Sequence, residues 1–92
     1  MTDAALHATH PEIVNRLKRA GGHLQSIITM IEDGRPCRDV AQQMYAVEKA
    51  VAQAKRVLIQ DHLDHCLDAV ISKTESSQRD EIEDFKAIAK FL

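Results

Sequence analysis

His62 and Cys66 stand four residues apart in a stretch free of Gly and Pro. On an α-helix that spacing puts both side chains on one face, one turn apart. A thiolate sulfur and an imidazole nitrogen so placed make a two-donor clip for a soft or borderline metal ion. Cys37 is the other thiol of the chain. On the same helix it would lie ~38 Å from His62 at 1.5 Å per residue, too far to join the clip within one chain. An antiparallel pair of such helices removes the obstacle. When Cys37 of one copy is level with the His62–Cys66 turn of the other, the midpoint falls near Val51. A twofold axis there gives two equivalent sites, one at each end.

Taken singly, each donor has an ordinary reading. A lone Cys in a helical seam is usually a small buried hydrophobe, and a lone His a satisfied or surface residue. The three together, spaced to converge across an antiparallel dimer, favour metal. His65 lies beside the clip among Asp61, Asp64 and Asp68, which suits a surface or supporting position. His7 and His10 near the N-terminus are candidates for a fourth ligand. His23 stands alone and reads as structural. No enzyme signature accompanies these residues: there is no Gly-rich phosphate loop, no nucleophile elbow and no HExxH pair. An enzyme is therefore not expected.

The elements that must position these donors are helical. The apolar residues are mostly Ala, Val, Ile and Leu, with one Tyr, two Phe and no Trp. That composition suits helix–helix packing rather than sheets. All three Gly and both Pro precede Cys37, so the rest of the chain is free of strong helix breakers. Residues 1–10 are expected to form a flexible His-containing arm, and residues 11–92 a single helical domain. Thr9, ahead of His10 and Pro11, suits an N-cap. Ile13, Leu17, Ala20, Leu24, Ile27, Ile28 and Ile31 recur at helical steps and predict a helix of about 22 residues. Gly21-Gly22 inside it suggests close approach of another backbone. Gly34 ends this helix and Pro36 starts the next.

In the second helix Val40, Met44, Val47, Val51, Ala54 and Leu58 alternate steps of four and three, a heptad seam. With no break before Ser72 the helix is expected to run about 34 residues, ~50 Å. The first helix is too short to cover such a seam, so another chain is expected to bury the excess. The polar stretch Ser72–Gln78 reads as a connection. A last short helix follows, striped by Ile82, Phe85, Ile88, Ala89 and Leu92. The fold class is all-α: a three-helix protomer pairing into an antiparallel dimer.

Net charge is −2, unevenly spread. Residues 14–56 carry eight bases against four acids, and residues 57–92 four bases against eight acids. A basic middle permits a nucleic-acid face, although split charge is more often an ordinary solvated surface. Arg16, Lys18, Arg19 and Arg56 are among those eight bases. No stretch approaches the ~20 apolar residues of a membrane span, and the N-terminus lacks the pattern of a signal peptide. A cytoplasmic location is expected, where two cysteines serve metal or redox chemistry better than a disulfide.

The stretches NRLKRAGGHLQSIITMIEDGRPC and VAQQMYAVEKAVAQAKRVLIQDHLDHC, with the spacing Cys-x24-His-x3-Cys, closely resemble the copper-sensitive operon repressor family and its nickel- and cobalt-sensing relatives. The likeness runs roughly from residue 11 to 92. It implies a three-helix protomer, an antiparallel four-helix-bundle dimer and assembly into a homotetramer. It also implies an operator-binding repressor that releases DNA when its inducer binds, freeing metal efflux or detoxification genes. Position by position, Cys37 and Cys66 match the family's thiolates and His62 its imidazole. Arg16 and Arg56 match basic DNA-contact positions. Glu83 or Asp84 aligns with a carboxylate that supports the metal ligands. Gln53 stands where some copper sensors carry a base, and Pro36 where some carry a tyrosine. The His7-x2-His10 arm resembles nickel- or cobalt-sensing relatives, in which an N-terminal nitrogen completes the site. The inducer is expected to be Cu(I) or Ni(II)/Co(II). The alternatives are a formaldehyde- or persulfide-sensing repressor of the same family, or a cytosolic metal buffer or chaperone that binds no DNA.

Overall fold

The computed structural model describes the backbone of residues 9–72 and 75–92, and side chains over 9–65, 67 and 79–92. It holds three helices in the order α1 (His10–Glu32), α2 (Cys37–Ser72) and α3 (Glu75–Ala89). Among the described residues there is no strand. The all-α, three-helix reading holds. Two compact units divide the chain, one over residues 11–54 and the other containing residues 55–92, and α2 runs through both.

α1 stops where Gly34 takes a φ of 73°, a left-handed conformation that costs an L side chain but not glycine. Arg35 N donates to Met30 O at 2.9 Å and Gly34 N to Ile31 O at 3.1 Å. This pair of bonds is a Schellman cap, which satisfies carbonyls left open by the last turn. α2 begins at once: Val40 N donates to Pro36 O at 3.1 Å, and Arg35 pairs with Asp39 at 3.8 Å. Glycine and proline thus do what their positions announce.

The packing of the 11–54 unit is more selective than the apolar pattern suggests. Ile13, Ala20 and Ile27 are buried on α1, seven residues apart, and Val40, Val47 and Ala54 are buried on α2 with the same interval. Ile27, Val40 and Val47 form one cluster, with Met30 packed against it. The other heptad row of each helix remains exposed: Leu17, Leu24 and Ile31 on α1, and Met44, Val51 and Leu58 on α2. Val47 is 8% exposed and Val51 44%. One row is therefore buried within the chain and the second stays at its surface. Ile59, outside the expected seam, is buried as well.

Four local expectations need correction. Thr9 does precede α1, but its Oγ1 has no hydrogen-bond partner, so it does not cap the helix. His10, assigned to the arm, is the first residue of α1; Pro11 at the first turn leaves no N–H to satisfy and allows the helix to begin there. Nothing lies within 4 Å of a Cβ built at Gly21 or Gly22, so among the described residues of the chain no backbone approaches the glycine pair. Finally, α3 starts at Glu75 rather than after Gln78. Ser and Gln cost only a few tenths of a kcal/mol in an exposed helix, so polarity alone does not stop one. The remainder of the 1–10 arm, residues 1–8 with His7, lies outside the described residues.

Candidate functional site

α2 carries all three proposed donors. Cys37 is its first residue, and His62 and Cys66 lie one turn apart in its second half. Cys37 is an exposed free thiol. It lines a shallow pocket of about 380 Å³ with Ile31, Arg35, Val40, Ala41 and Met44, so the thiol sits at an apolar edge with one guanidinium nearby. The side chain of Cys66 lies outside the described residues.

His62 is two-thirds covered, and its Nε2 meets Asp84 Oδ2 of α3. With Nε2 engaged by a carboxylate, Nδ1 is the ring nitrogen left to coordinate. A carboxylate behind an imidazole also fixes the ring's orientation and raises its basicity toward a metal. Of the two carboxylates expected near the ligands, Asp84 makes this contact, and Glu83 instead pairs with Lys86 at 3.8 Å on the surface of α3. His65 Nε2 lies 3.5 Å from Asp61 Oδ1, one turn back on α2.

Among the described residues, no three His, Cys, Asp or Glu side chains come together as a metal site within one chain. The donor chemistry nevertheless fits a thiophilic metal: thiols at both positions of α2 and an imidazole held by a carboxylate. What one chain lacks is convergence, as the distance between Cys37 and the clip requires.

Three of the four candidate DNA-contact bases, Arg16, Lys18 and Arg19, lie on α1, and Arg56 lies on α2. Arg16 pairs with Glu12 at 3.6 Å, while its Nε is sealed from solvent without a hydrogen-bond partner. Lys18, Arg19 and Arg56 are exposed. Arg16 and Arg19 line a pocket of about 170 Å³ with Ala20, His23 and Ala50. His23, read from sequence as structural, lines the same pocket and hydrogen-bonds Gln43 of α2 at 2.6 Å. Arg16, Arg19 and His23 fall at helical steps of three and four, on one face.

Comparison with known proteins accounts for these features together. Residues 9–91 match the family described as metal-sensitive transcriptional repressor. The copper-sensing transcriptional repressor CsoR of Mycobacterium ulcerans is 43% identical over 58 residues, 63% of this chain and 50% of that protein. CsoR of Bacillus subtilis is 37% identical over 67 residues, 73% of this chain and 66% of that protein. The matches thus span about half the length of the mycobacterial relative and two thirds of the Bacillus one. The solved structure of the nickel-responsive transcriptional regulator InrS superposes with a TM-score of 0.77 at 31% identity, covering 89% of this chain and 91% of that one. No described helix is long and apolar enough to cross a membrane. A three-helix chain with thiol and imidazole donors along its longest helix, matched over nearly its whole length, belongs to the family of metal-sensitive transcriptional repressors, which are regulators and not enzymes.

Proposed function

We propose that this chain is a cytoplasmic repressor that binds operator DNA when metal-free and releases it when Cu(I) or Ni(II)/Co(II) binds at Cys37, His62 and Cys66. The observation that carries this reading is the exposed row of Met44, Val51 and Leu58 lying between the donors on α2. Antiparallel pairing of two copies along that row, centred near Val51, buries it and sets Cys37 of one copy beside His62 and Cys66 of the other. Each dimer then holds two sites, and further pairing through Leu17, Leu24 and Ile31 of α1 supports a tetramer.

Metal at such a site would tie two chains together through sulfur and imidazole donors. The protein's own part is to present them: Asp84 orients the His62 ring, and the pairing of α2 helices fixes the distance to Cys37. The same helices position Arg16, Lys18, Arg19 and Arg56. By linkage, an arrangement that favours the converged donors over the DNA-bound one weakens DNA binding by the same free energy, typically ~1–3 kcal/mol.

Two thiolates and one nitrogen suit Cu(I), whereas Ni(II) asks for a fourth donor in a square plane. His7 or His10 would supply it. Both metals have support, from the copper-sensing relatives and the nickel-responsive structural neighbour. The decisive experiment is anaerobic titration of the reduced apo-protein with each metal. Uptake is read by ultraviolet and visible absorption, with binding to DNA upstream of its own gene followed in parallel. Stoichiometric uptake that abolishes DNA binding is the expected result. Uptake with no DNA binding at any stage would make the chain a metal buffer.

A further inference from the structure

The pocket on α1 has a composition the metal site does not explain. Arg16, Arg19 and His23 line it, and Ala20 and Ala50 close its apolar side. His23 Nε2 donates to Gln43 Oε1 of α2 at 2.6 Å, which anchors the ring and leaves Nδ1 as its second nitrogen. The Nε of Arg16 has no acceptor, which is unfavourable for a buried donor. The acceptor that Arg16 does have is Glu12, an exposed i,i+4 partner at 3.6 Å. Such exposed pairs contribute little to stability. An anion with more than one oxygen could displace Glu12 easily and satisfy Nε as well.

The geometry points to this pocket as a seat for one phosphate oxyanion, with Arg16, Arg19 and His23 as its donors and a DNA backbone phosphate as its occupant. The assignment of that occupant rests on the repressor reading above. Two guanidinium groups and an imidazole around a small pocket match the charge and oxygen acceptors of a phosphate, and a phosphate contact positions the duplex without reading sequence. The charged groups lining it with His23 are Arg16 and Arg19 of α1, with Glu12 on Arg16; α2 contributes the neutral Gln43 and Ala50.

Because Nε2–H is committed to Gln43, Nδ1 donates to phosphate only when the ring is the imidazolium. Binding therefore takes up a proton at His23. An anion that prefers the protonated ring binds more tightly as pH falls through the imidazole range.

The test uses the reduced, metal-free full-length chain with two probes. In the first arm inorganic phosphate, then sulfate, is titrated while the histidine ring signals are followed by NMR, with His23→Gln assigning the His23 resonance. In the second arm, fluorescence anisotropy reports affinity for a duplex from upstream of its own gene and for an unrelated duplex, at about pH 6 and about pH 8. The expected result is a saturable shift of the His23 signal, together with affinity for both duplexes that rises roughly fivefold per engaged pocket at the lower pH. His23→Gln, which keeps a neutral donor and the fold, should lose that pH increment; His23→Ala should in addition weaken binding about tenfold. Glu12→Gln should strengthen it. Circular dichroism and sedimentation of each variant exclude misfolding as the cause. If the wild type binds both duplexes, while His23→Gln keeps the full pH increment and phosphate leaves the ring unmoved, the pocket proposal is overturned and the repressor reading stands. If the wild type binds neither duplex but phosphate still saturates His23, DNA is overturned as the source of the oxyanion.

Discussion

Val51 is where burial arithmetic separates a monomer from an assembly. Removing two methyl groups by Val51→Ala costs ~1.6 kcal/mol when the side chain is fully buried, at ~0.8 kcal/mol per group. In the single chain Val51 is 44% exposed, so only about half of that, roughly 0.9 kcal/mol, should be lost if the protomer is the folding unit. If the outward row is covered by a second copy, the full ~1.6 kcal/mol is lost per chain, and about twice that per dimer because each dimer carries two copies of the substitution. Val47→Ala is the internal standard: its side chain is 8% exposed within the protomer and should cost about 1.6 kcal/mol per chain either way. Urea unfolding of wild type and both variants, from about 1 to about 100 µM chain, reads the difference, since a folding unit made of two chains has a midpoint that rises with concentration. Val51→Asp, which places two charges near the axis, should dissociate or unfold the protein. Concentration-independent midpoints, with Val51→Ala costing about half as much as Val47→Ala, would refute the dimer and the shared metal site with it.

Cys37→Ala and Cys66→Ala should each abolish tight metal binding while leaving DNA binding of the apo-protein intact, as anaerobic titration and anisotropy will show. His62→Ala should do the same, or retain metal while uncoupling it from DNA release. The double change His7→Ala with His10→Ala should weaken nickel much more than copper if the arm donates a nitrogen; equal affinities in the variant would remove the arm from the site. DNA affinity should fall by about 0.9 log units per log unit of salt for each phosphate contacted, and Arg16→Ala or Arg56→Ala should flatten that slope without altering metal stoichiometry. Gly34→Ala forces a Cβ into a φ of 73° and should destabilise the fold by ~1–2 kcal/mol in urea titration, with the metal absorption spectrum unchanged.

Where the physics is local, the sequence was a good guide. Gly34 and Pro36 mark the break between α1 and α2, and the three- and four-residue apolar steps mark both helices, because caps and periodicity are set within a turn or two. The errors came where longer-range packing decides. The apolar steps do not distinguish the row of Val40, Val47 and Ala54, buried in the protomer, from that of Met44, Val51 and Leu58; both rows are apolar, and the angle at which α1 meets α2 separates them. The glycine pair at 21 and 22 has no close neighbour among the described residues. The start of α3 was set too late because its first turn is polar. At the site, the donors were legible as residue types, but Asp84 rather than Glu83 reaching His62 depends on how α3 packs.

The separation of the two heptad rows also bears on how such a chain finds its own kind. Since the row that folds the protomer is distinct from the row left outside, the two answer to different selective pressures. Leu17, Leu24, Ile31, Met44, Val51 and Leu58 can drift toward a new complementary pattern while Ile13, Ala20, Ile27, Val40, Val47 and Ala54 hold each protomer together. A duplicated gene could therefore insulate its product from the parent by a few substitutions on the outward row. If copies pair along the outward row as proposed, two such repressors could then share a cell without forming mixed assemblies.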